Sequence, residues 1–464
     1  MTGCSLNDVH SRLNETRVRD VAAPSSTTEI RDVLRRARKR HGRVSIAGGR
    51  HAMGGQQFLA GGTLIDTRNM KKILSLDSKR GLLEVEAGIL WSDLIPKLRQ
   101  LQGGCPDRWS IIQKQTGADR MSLGGALAAN GHGRGLKFKP IVQDVESFVI
   151  VNDNGEAVEC SRTSNPELFS LAIGGYGLFG VIASVTLRLQ RATRLLRSVE
   201  VFDIEQLPSA FEERIDDGYM YGDFQYMTDE NSDRFMGLGV FSCYRPVDEP
   251  TIGDDAARST LSEDDWKRLI YLGHTDKSAA FDAYASFYLG TDGQTYDIDE
   301  FQMSTYIDGY HNELDRQLGA DGPGSEVISE LYVPLDRLVE FMTKASETIR
   351  SEDANVIYGT IRLIEKDDET YLNWAADRYA CIVVNLHVDH TEEGIVRSAN
   401  AFRGLVDDAA SLGGSFFLTY HRYATFDQVK RSYPQFGDFL TQKRLYDPGQ
   451  TFGSNWYDHY RAIA

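Results

Sequence analysis

Three glycine-rich segments lie within the first 182 residues, and they constrain the fold more than any other feature of the sequence. They cover 47–56 (AGGRHAMGGQ), 116–135 (TGADRMSLGGALAANGHGRG) and 173–182 (IGGYGLFGVI). Glycine lets a backbone approach a ligand without an intervening side chain. Successive backbone N–H groups in such a loop can bind a phosphate. The three segments together predict a binding module for a large ligand with phosphate groups and a flat part.

The third segment contains Gly175–Gly180, a literal G-x-G-x-x-G sequence. A dinucleotide-binding Rossmann loop follows a strand and opens a helix, so that the pyrophosphate meets the helix N-terminus. Here the sequence predicts the reverse order, with a helix before the glycines and a strand after them. The pattern therefore does not indicate an NAD-type site.

The first segment does follow a predicted strand, at 43–49, and its glycines suit a diphosphate. The second segment carries small residues such as Ser122, Gly124 and Ala129, which let the backbone lie flat against a planar group. Further strands are predicted at 62–67, 81–88, within 142–160 and at 180–189. Short strands interleaved with helices indicate an α+β fold.

The sequence changes in character near residue 195, where the glycine loops become sparse. Predicted strands at 326–334, 354–364 and 379–390, with a helix at 335–350, favour an antiparallel sheet with helices on one face. We therefore predict a second domain over 195–415.

Composition excludes several classes of partner. The chain of 464 residues has a formal net charge of −16, which disfavours nucleic acid and anionic membranes. The five cysteines are scattered and form no CxxC pair, so neither a disulfide framework nor a metal site is predicted. The sequence also has no apolar run of roughly 18 residues, the length that crosses a bilayer. These features predict a reduced, cytoplasmic protein without a membrane segment.

The glycine segments resemble the FAD-binding fold of the vanillyl-alcohol oxidase, or PCMH-type, superfamily. AGGRHAMGG is similar to its first pyrophosphate loop, SLGGALAANGHG to its second flavin-contacting segment, and AIGGYGLFGVIASVTLRL to the segment that closes the FAD domain. The C-terminal YDPGQTFGSN resembles the stretch that returns to that domain. The resemblance implies a two-subdomain FAD-binding domain over 1–194, its completion by 416–464, and a substrate (cap) domain over 195–415.

Within the superfamily, the second and third segments are most similar to the decaprenylphosphoryl-ribose oxidase branch. SELYVP (329–334), TIRLIEKDDETYL (360–372) and TYHRYA (419–424) resemble pieces of the alditol oxidase and aldonolactone oxidase branches. The resemblance implies FAD as the cofactor. The implied FAD-binding residues are Gly48, Gly49, Arg50, His51, Ala52, Met53, Gly54, Gly117, Ala118, Ser122, Gly124, Gly125, Ala129, Gly131, His132, Gly133, Gly175, Gly180 and Ile182.

His51 falls where many members bond a histidine to the flavin 8α-methyl group, so the resemblance implies a covalent link through His51. The alternative is a histidine that contacts phosphate or caps the loop. Two neighbours depart from the family pattern, because Arg50 replaces the usual glycine and Ala52 the usual serine. A double link through histidine and cysteine is not expected, since no cysteine lies between Cys105 and Cys160.

The resemblance also implies a set of catalytic and substrate-binding residues. Arg362 would stabilise negative charge on reduced flavin or a substrate alkoxide, although a buried salt bridge is the alternative. His421 or Tyr420 would orient the substrate hydroxyl or accept its proton, and Ser122 would face the flavin or substrate unless it only completes a turn. Five further residues are expected to line the substrate pocket: Glu330, Tyr332, Asn385, His387 and Arg422. For those that lie on predicted strands, the alternative is a role in the core.

Two family positions differ in this chain: the family's lysine falls on Ala424 and its glutamate on Thr360. The resemblance implies oxidation of a soluble sugar-, polyol- or nucleoside-like alcohol by hydride transfer to flavin N5, with oxygen or another acceptor. The alternatives are a dehydrogenase that uses a non-oxygen acceptor, an enzyme acting on an amine or an activated C–C bond, and an FAD-containing binding protein without turnover.

Overall fold

The computed structural model describes residues 3–105, 107–248, 259–304, 307 and 309–464. Helices and sheets are mixed along the chain, which confirms the α+β prediction. The first two strands of the chain, β1 (Cys4–Leu6) and β2 (Thr16–Val18), form a short antiparallel pair. A three-stranded parallel sheet follows, in the order β3–β5–β4. Its strands are β3 (Asp20–Ala22), β4 (Val44–Ala47) and β5 (Thr63–Asp66).

Helix α1 (Thr27–Lys39) connects β3 to β4. It begins where the Ser26 side chain accepts a hydrogen bond from the Glu29 backbone N–H, an N-cap that satisfies one of the free donors of the first turn. Its apolar residues recur at helical spacing and are buried, whereas its basic residues face outward. The buried positions are Ile30, Val33, Leu34 and Ala37.

A five-stranded antiparallel sheet has the order β10–β9–β11–β7–β6. Its strands are β6 (Ile73–Asp77), β7 (Leu82–Glu86), β9 (Val145–Val151), β10 (Ala157–Ser161) and β11 (Val181–Arg188). A separate short pair is formed by β8 (Trp109–Ser110) and β12 (Gln190–Arg191). The helices of this region are α2 (Trp91–Gln102), α3 (Leu123–Ala129) and α4 (Pro166–Ala172). Helix α4 precedes the third glycine segment and β11 follows it, as the sequence predicted.

An eight-stranded sheet begins with a strand at Arg194 and has the order β16–β13–β15–β14–β18–β19–β17–β20. Its neighbouring strands pair antiparallel. The strands are β13 (Arg194–Asp203), β14 (Tyr221–Tyr226), β15 (Leu238–Val247), β16 (Thr295–Asp297), β17 (Gly324–Pro334), β18 (Asn355–Ile364), β19 (Tyr379–Asp389) and β20 (Ser415–Phe416). The strands predicted at 326–334, 354–364 and 379–390 are confirmed as neighbours in this sheet.

Seven helices of the described chain lie between β13 and β20. They are α5 (Leu207–Asp216), α6 (Glu263–Thr275), α7 (Lys277–Leu289), α8 (Ile298–Gln302), α9 (His311–Leu318), α10 (Leu338–Ser351) and α11 (Glu392–Ser411). Within the described ranges, none of the chain's helices combines the length and apolar character needed to span a membrane. All five cysteines fall in those ranges and none is in a disulfide.

The C-terminal part contains α12 (Phe426–Ser432), α13 (Phe436–Tyr446) and α14 (Asn455–Ile463). Between α13 and α14 the chain runs beside β4, where Phe452 pairs with Val44 in a parallel bridge. Val44 N–H donates to the Thr451 carbonyl at 2.7 Å, and Gly453 N–H donates to the Val44 carbonyl at 2.8 Å. The last segment of the chain therefore extends the edge of the parallel sheet.

One large apolar core joins the five-stranded sheet, the eight-stranded sheet and the C-terminal helices. Val85, Leu127, Phe224, Val384 and Trp456 all belong to it and are essentially inaccessible to solvent. Because burial of apolar surface is the main favourable term in folding, this shared core fixes the glycine segments against the eight-stranded sheet.

Candidate active site

A cavity of about 800 Å³ lies between the glycine segments and the eight-stranded sheet. Its size is typical of a site that encloses a small organic ligand or cofactor. The predicted site residues that line it are Gly48, Gly49, Arg50, His51, Ala52, Met53, Gly117, Ala118, Ser122, Gly124, Gly125, Ala129, Gly131, His132, Gly180, Ile182, Glu330, Arg362, Asn385 and Tyr420. The structure thus brings most of the predicted set to one place.

The loop after β4 packs closely against the loop before α3. A Cβ atom on Gly48 would overlap the side-chain hydroxyl of Ser122, and one on Gly49 would overlap the Arg120 carbonyl. Arg50 has φ +62°, a left-handed conformation that favours glycine. Its guanidinium group contacts Asp66 at 3.1 Å. The departure from the usual glycine at position 50 is therefore accommodated at some conformational cost and anchored by an ion pair.

His51 lies in this loop with a neutral imidazole. Its Nδ1 is 2.7 Å from Nε2 of His10. Burial lowers the pKa of His51 to about 3, the neighbouring His10 adds to that effect, and a backbone hydrogen bond to Arg120 acts in the opposite direction. At neutral pH the ring is therefore uncharged, and one ring nitrogen keeps its lone pair.

Ser122 both completes the start of a helix and lies at the cavity, the two roles that the sequence left open. It is the N-cap of α3, and its hydroxyl accepts a hydrogen bond from Gly125 N–H at 3.2 Å. The same residue lines the cavity. At the other end of α3, a Cβ on Gly131 would overlap the side-chain amide of Gln115. Glycine at 131 therefore lets that amide reach the cavity wall.

On the opposite wall, Glu330 of β17 collects three hydrogen-bond donors. His132 Nε2 lies 2.7 Å from its carboxylate, Tyr420 OH 2.9 Å and Cys381 Sγ 3.2 Å. Burial acts to raise the pKa of Glu330, but His132, the charge of Arg362 and the Cys381 hydrogen bond together lower it, so the pKa lies below its ordinary value. Burial and the carboxylate together raise the pKa of Tyr420 well above the usual range. The cluster is therefore a carboxylate that holds a neutral phenol at the cavity surface.

Arg362 of β18 supplies positive charge beside this cluster. Its Nε is buried and has no hydrogen-bond partner in the described part of the chain. Burial opposes the charge, yet the neighbouring Tyr358 and Asp223 raise the pKa of Arg362 above its ordinary value. A buried, permanently charged guanidinium with a free donor is suited to a ligand oxygen.

Several predicted residues lie outside the cavity lining. A Cβ on Gly54 would overlap the Tyr420 carbonyl, Gly133 N–H donates to Gln113 at 3.1 Å, and Gly175 packs against the Leu171 carbonyl. These three glycines serve close backbone packing.

Four of the predicted catalytic and substrate residues also lie outside the lining. His421 is buried, stacks on Tyr423 with ring centroids 5.1 Å apart, and has its pKa lowered to about 4 by burial. Tyr332 stacks on Trp374 in the core. Arg422 donates to the Asn455 carbonyl at 3.0 Å, and His387 lies beside Glu326. Tyr420 is thus the member of the 419–424 stretch whose hydroxyl reaches the cavity cluster.

The sequence interpretation missed several polar lining residues, among them Gln115 and Asp223, and it missed Cys381 beside Glu330. Asp223 is the charged residue of an otherwise uncharged strand, β14, and lies 3.5 Å from Arg134. A charged residue within a strand that is otherwise uncharged was a usable signal. Nothing local marks Gln115 or Cys381, because their roles depend on which strands and loops become neighbours.

Comparison with known proteins agrees with this geometry. Residues 19–161 match the family described as FAD binding domain. L-gulonolactone oxidase of Bos taurus is 32% identical over 166 residues, which are 36% of each chain. Cytokinin dehydrogenase 2 of Arabidopsis thaliana is 32% identical over 178 residues, 38% of this chain and 34% of that protein. Mitochondrial L-galactono-1,4-lactone dehydrogenase of Brassica oleracea is 25% identical over 197 residues, 42% and 32% of the two chains.

The match over residues 19–161 identifies an FAD-binding domain, so the cofactor of this protein is FAD. Its FAD-binding domain belongs to the PCMH-type FAD-binding oxidoreductase superfamily. The matches to these three relatives cover only about a third of each relative's length, between 32% and 36%.

The residues present fit this cofactor. The glycine loops at 48–49 and 124–125 line the cavity, so their backbones would lie beside the diphosphate and the flat ring. Gln115 Nε2 is buried without a hydrogen-bond partner among the described residues, which leaves a donor for a ligand acceptor. The opposite wall supplies Arg362 and Glu330, so the flat ring would lie between backbone and charged side chains.

Proposed function

We propose that this chain is an FAD-dependent oxidoreductase of the aldonolactone oxidase type, which oxidises a CH–OH carbon of a sugar-like lactone. The observation that carries the proposal is the Tyr420–Glu330–His132 cluster, which lines the cavity together with the glycine segments and joins the second of them, through His132, to β17. The names of the relatives support the substrate class, since two of the three are sugar-lactone enzymes. Bound FAD would take up the hydride that leaves the substrate carbon.

The substrate hydroxyl must lose a proton as its carbon loses hydride. Tyr420 is neutral and already donates its own proton toward Glu330 at 2.9 Å. A substrate hydroxyl bonded to the Tyr420 oxygen can therefore pass its proton to that oxygen while Glu330 receives the phenol proton. The Glu330 carboxylate is ionised, and so has a place for that proton, because its pKa is held below the ordinary value. His132 fixes the orientation of Glu330 from the other side.

Arg362 would stabilise the negative charge that develops on the substrate oxygen. Its charge is fixed before the substrate binds, so no reorganisation is needed during the reaction. Its free Nε is buried in the same wall as Glu330. This assignment replaces the lysine and glutamate of the family pattern, whose positions hold Ala424 and Thr360 here.

We also propose that His51 meets the flavin ring and forms a covalent bond to it. The bond would replace a C–H bond of the flavin methyl group by a C–N bond and would leave the flavin reduced by two electrons, which the electron acceptor of the proposed reaction would then take up. The imidazole of His51 suits the attacking group because its low pKa keeps it neutral. Contact with phosphate is the alternative. Acid precipitation decides between them: yellow colour retained in the pellet and in the peptide containing His51 supports the bond, and release of all flavin to the supernatant contradicts it.

We propose the domain division 1–194 with 416–464 for FAD, and 195–415 for the substrate. The bridge between Val44 and Phe452 supports the return of the C-terminal segment to the FAD side. The cavity walls support the assignment of the eight-stranded sheet to the substrate, because Glu330, Arg362 and Asn385 come from its strands.

The test is an anaerobic titration of the flavin-loaded protein with L-gulonolactone and L-galactono-1,4-lactone. We expect the visible flavin absorbance to bleach, and γ-butyrolactone, which has no ring hydroxyl, to leave it unchanged. Reoxidation by air would indicate an oxidase, and reoxidation only by a quinone or dye a dehydrogenase. If no sugar lactone or polyol bleaches a flavin that dithionite reduces, the proposed function is wrong.

A further inference from the structure

Outside the active-site cluster, three histidines contact a buried glutamate of the eight-stranded sheet, His311 at one carboxylate oxygen and His274 and His387 at the other. Glu326 of β17 and His387 of β19 are direct cross-strand partners. His274 reaches them from the last turn of α6. The three side chains are 6%, 12% and 3% exposed, respectively. Three groups of these types, buried together, are a ligand set found in metal sites.

Two of the distances between these atoms are close to those between ligands of one metal ion, and the His387 contact also falls within hydrogen-bonding distance. His274 Nε2 lies 3.5 Å from Glu326 Oε1, and His387 Nδ1 lies 3.3 Å from the same oxygen. Two ligands bound tetrahedrally at about 2.0–2.1 Å are separated by about 3.3 Å. Charge-assisted hydrogen bonds are shorter, at about 2.7–2.9 Å. All three ligand atoms lie within 4.8 Å of one another.

The His274 side chain gives an independent indication. Its Nε2 is buried and has no hydrogen-bond partner within the described ranges of the chain. Its ring meets that of His387 edge to face, at 85° with centroids 4.7 Å apart. Two imidazoles that bind one ion converge in this manner on the same point. A buried nitrogen without a hydrogen bond is rare in proteins, and a metal ion would satisfy it.

The groups that contact the other polar atoms of His387 and Glu326 are also of the kind found around metal ligands. His387 Nε2 faces the Asp389 carboxylate at 3.5 Å. The second oxygen of Glu326 accepts a hydrogen bond from Tyr310. Ligating histidines usually have their other nitrogen beside a carboxylate or carbonyl, and ligating carboxylates are themselves hydrogen-bonded. A Cβ on Gly324 would lie 2.5 Å from His387 Cε1, so glycine there leaves room for the ring in this orientation.

We propose that His274, Glu326 and His387 bind a divalent transition-metal ion of the Zn²⁺ class. Two imidazoles and one carboxylate leave a fourth position open, as in sites that keep an exchangeable water. Glu326 also lines a second cavity of about 210 Å³, on the side of Tyr310 and His311. The sequence predicted no metal because the ligands are 52 and 61 residues apart and form no motif. The site is separate from the Glu330 cluster and does not depend on the proposed reaction.

The first experiment measures zinc, iron, manganese and copper by elemental analysis in flavin-loaded protein purified without a metal-affinity column. We expect about one transition-metal ion per chain, as for a single site. The variants His274→Gln and His387→Gln should lose it. The control His390→Gln should retain it, because His390 lies just beyond β19 and bonds to Ser325 Oγ at 2.8 Å instead.

The second experiment needs no variant and so does not depend on whether variants fold. Wild-type protein is treated with a chelator, freed of it, and titrated with Co²⁺ alone. We expect a visible ligand-field band that saturates at about one Co²⁺ per chain, as for a single site, and that Zn²⁺ abolishes. A metal-free purified protein that also gives no such band overturns the proposal and leaves a hydrogen-bonded charge cluster. Equal metal content in the His274→Gln, His387→Gln and His390→Gln proteins also overturns it.

Discussion

At the residue scale, the active-site wall depends on one buried carboxylate that would be unfavourable alone. Glu330 is fully enclosed, and a charge in such a place needs partners. It has them in His132, Tyr420 and Cys381. The arrangement concentrates a negative charge beside a neutral phenol, which is the condition for proton transfer away from a substrate hydroxyl.

Tyr420→Phe should therefore slow flavin reduction by the lactone substrate by about 10²-fold or more, the range for loss of a general acid–base group. FAD content should not change, since the phenyl ring is retained. Stopped-flow reduction measures the rate constant. Tyr423→Phe is the matched control, because Tyr423 stacks on His421 outside the cavity and should keep the wild-type rate. A wild-type rate in Tyr420→Phe would remove this residue from the proton path.

His421 should make the protein less stable in mild acid. Its pKa is about 4 when folded, below the ordinary 6.5, so the unfolded chain binds the proton more readily. The contribution is fully present above about pH 6.5 and is lost as the pH falls toward 4, at most about 3 kcal/mol. His421→Phe should flatten the pH dependence of the melting temperature in that window. His41→Gln, at an exposed position, should leave the wild-type profile, and equal profiles for all three proteins would contradict this explanation.

The sequence predicted Glu330, Arg362, His132 and Tyr420 as site residues, and all four line the cavity, but it did not predict how they meet. That meeting depends on the register of β17 with β19, which sets Glu330 opposite Val383 and Tyr332 opposite Cys381. Register is fixed by long-range packing. The sequence also placed Tyr332 and His387 in the pocket, whereas the sheet directs them to the core and to the Glu326 cluster.

At the scale of elements, the loop after β4 depends on glycine where it approaches the loop before α3. Gly48→Ala should disrupt this approach, because the new Cβ would overlap the Ser122 side chain. We expect purified Gly48→Ala protein to contain much less FAD and to melt at a lower temperature. Absorbance measures the ratio of FAD to protein.

Gly104→Ala is the control for this substitution, since a Cβ there meets no atom within 4 Å. It should retain wild-type FAD content and stability. Full FAD content in Gly48→Ala would show that the loop can separate from Ser122 without loss of the cofactor, so that cofactor binding would not depend on glycine at this position.

Most of the strands in the first part of the chain were predicted from the local pattern of apolar residues. Alternating apolar residues predicted β4, β5, β7, β9 and β11, and they formed. The order of the strands could not be predicted in this way, because the order β10–β9–β11–β7–β6 results from packing between segments that are distant in the sequence. The local sequence pattern also did not predict the parallel bridge between Phe452 and β4. Only the family resemblance indicated that the C-terminal segment returns to the FAD-binding domain.

At the scale of the whole molecule, the C-terminal segment completes the parallel sheet that carries the FAD loop. Phe452 is fully buried there. Phe452→Ala should lower the unfolding free energy by about 3–5 kcal/mol, the usual cost of such a cavity. Denaturant unfolding, monitored through flavin fluorescence, should show an earlier transition. Leu445→Ala, at a position 67% exposed, should unfold like the wild type, and equal midpoints for both variants would contradict a structural role of Phe452.

The proposed reaction requires Glu330 to be the final acceptor of the proton that leaves the substrate hydroxyl. The most direct measurement is anaerobic single-turnover reduction of flavin-loaded Glu330→Gln by the lactone that bleaches the wild type. Glutamine keeps the size of the side chain but cannot take the proton. We expect full FAD loading and reduction slower by about 10²–10⁴-fold. The exposed control Glu340→Gln should react at the wild-type rate, and a wild-type rate in Glu330→Gln would show that Glu330 is not the proton acceptor.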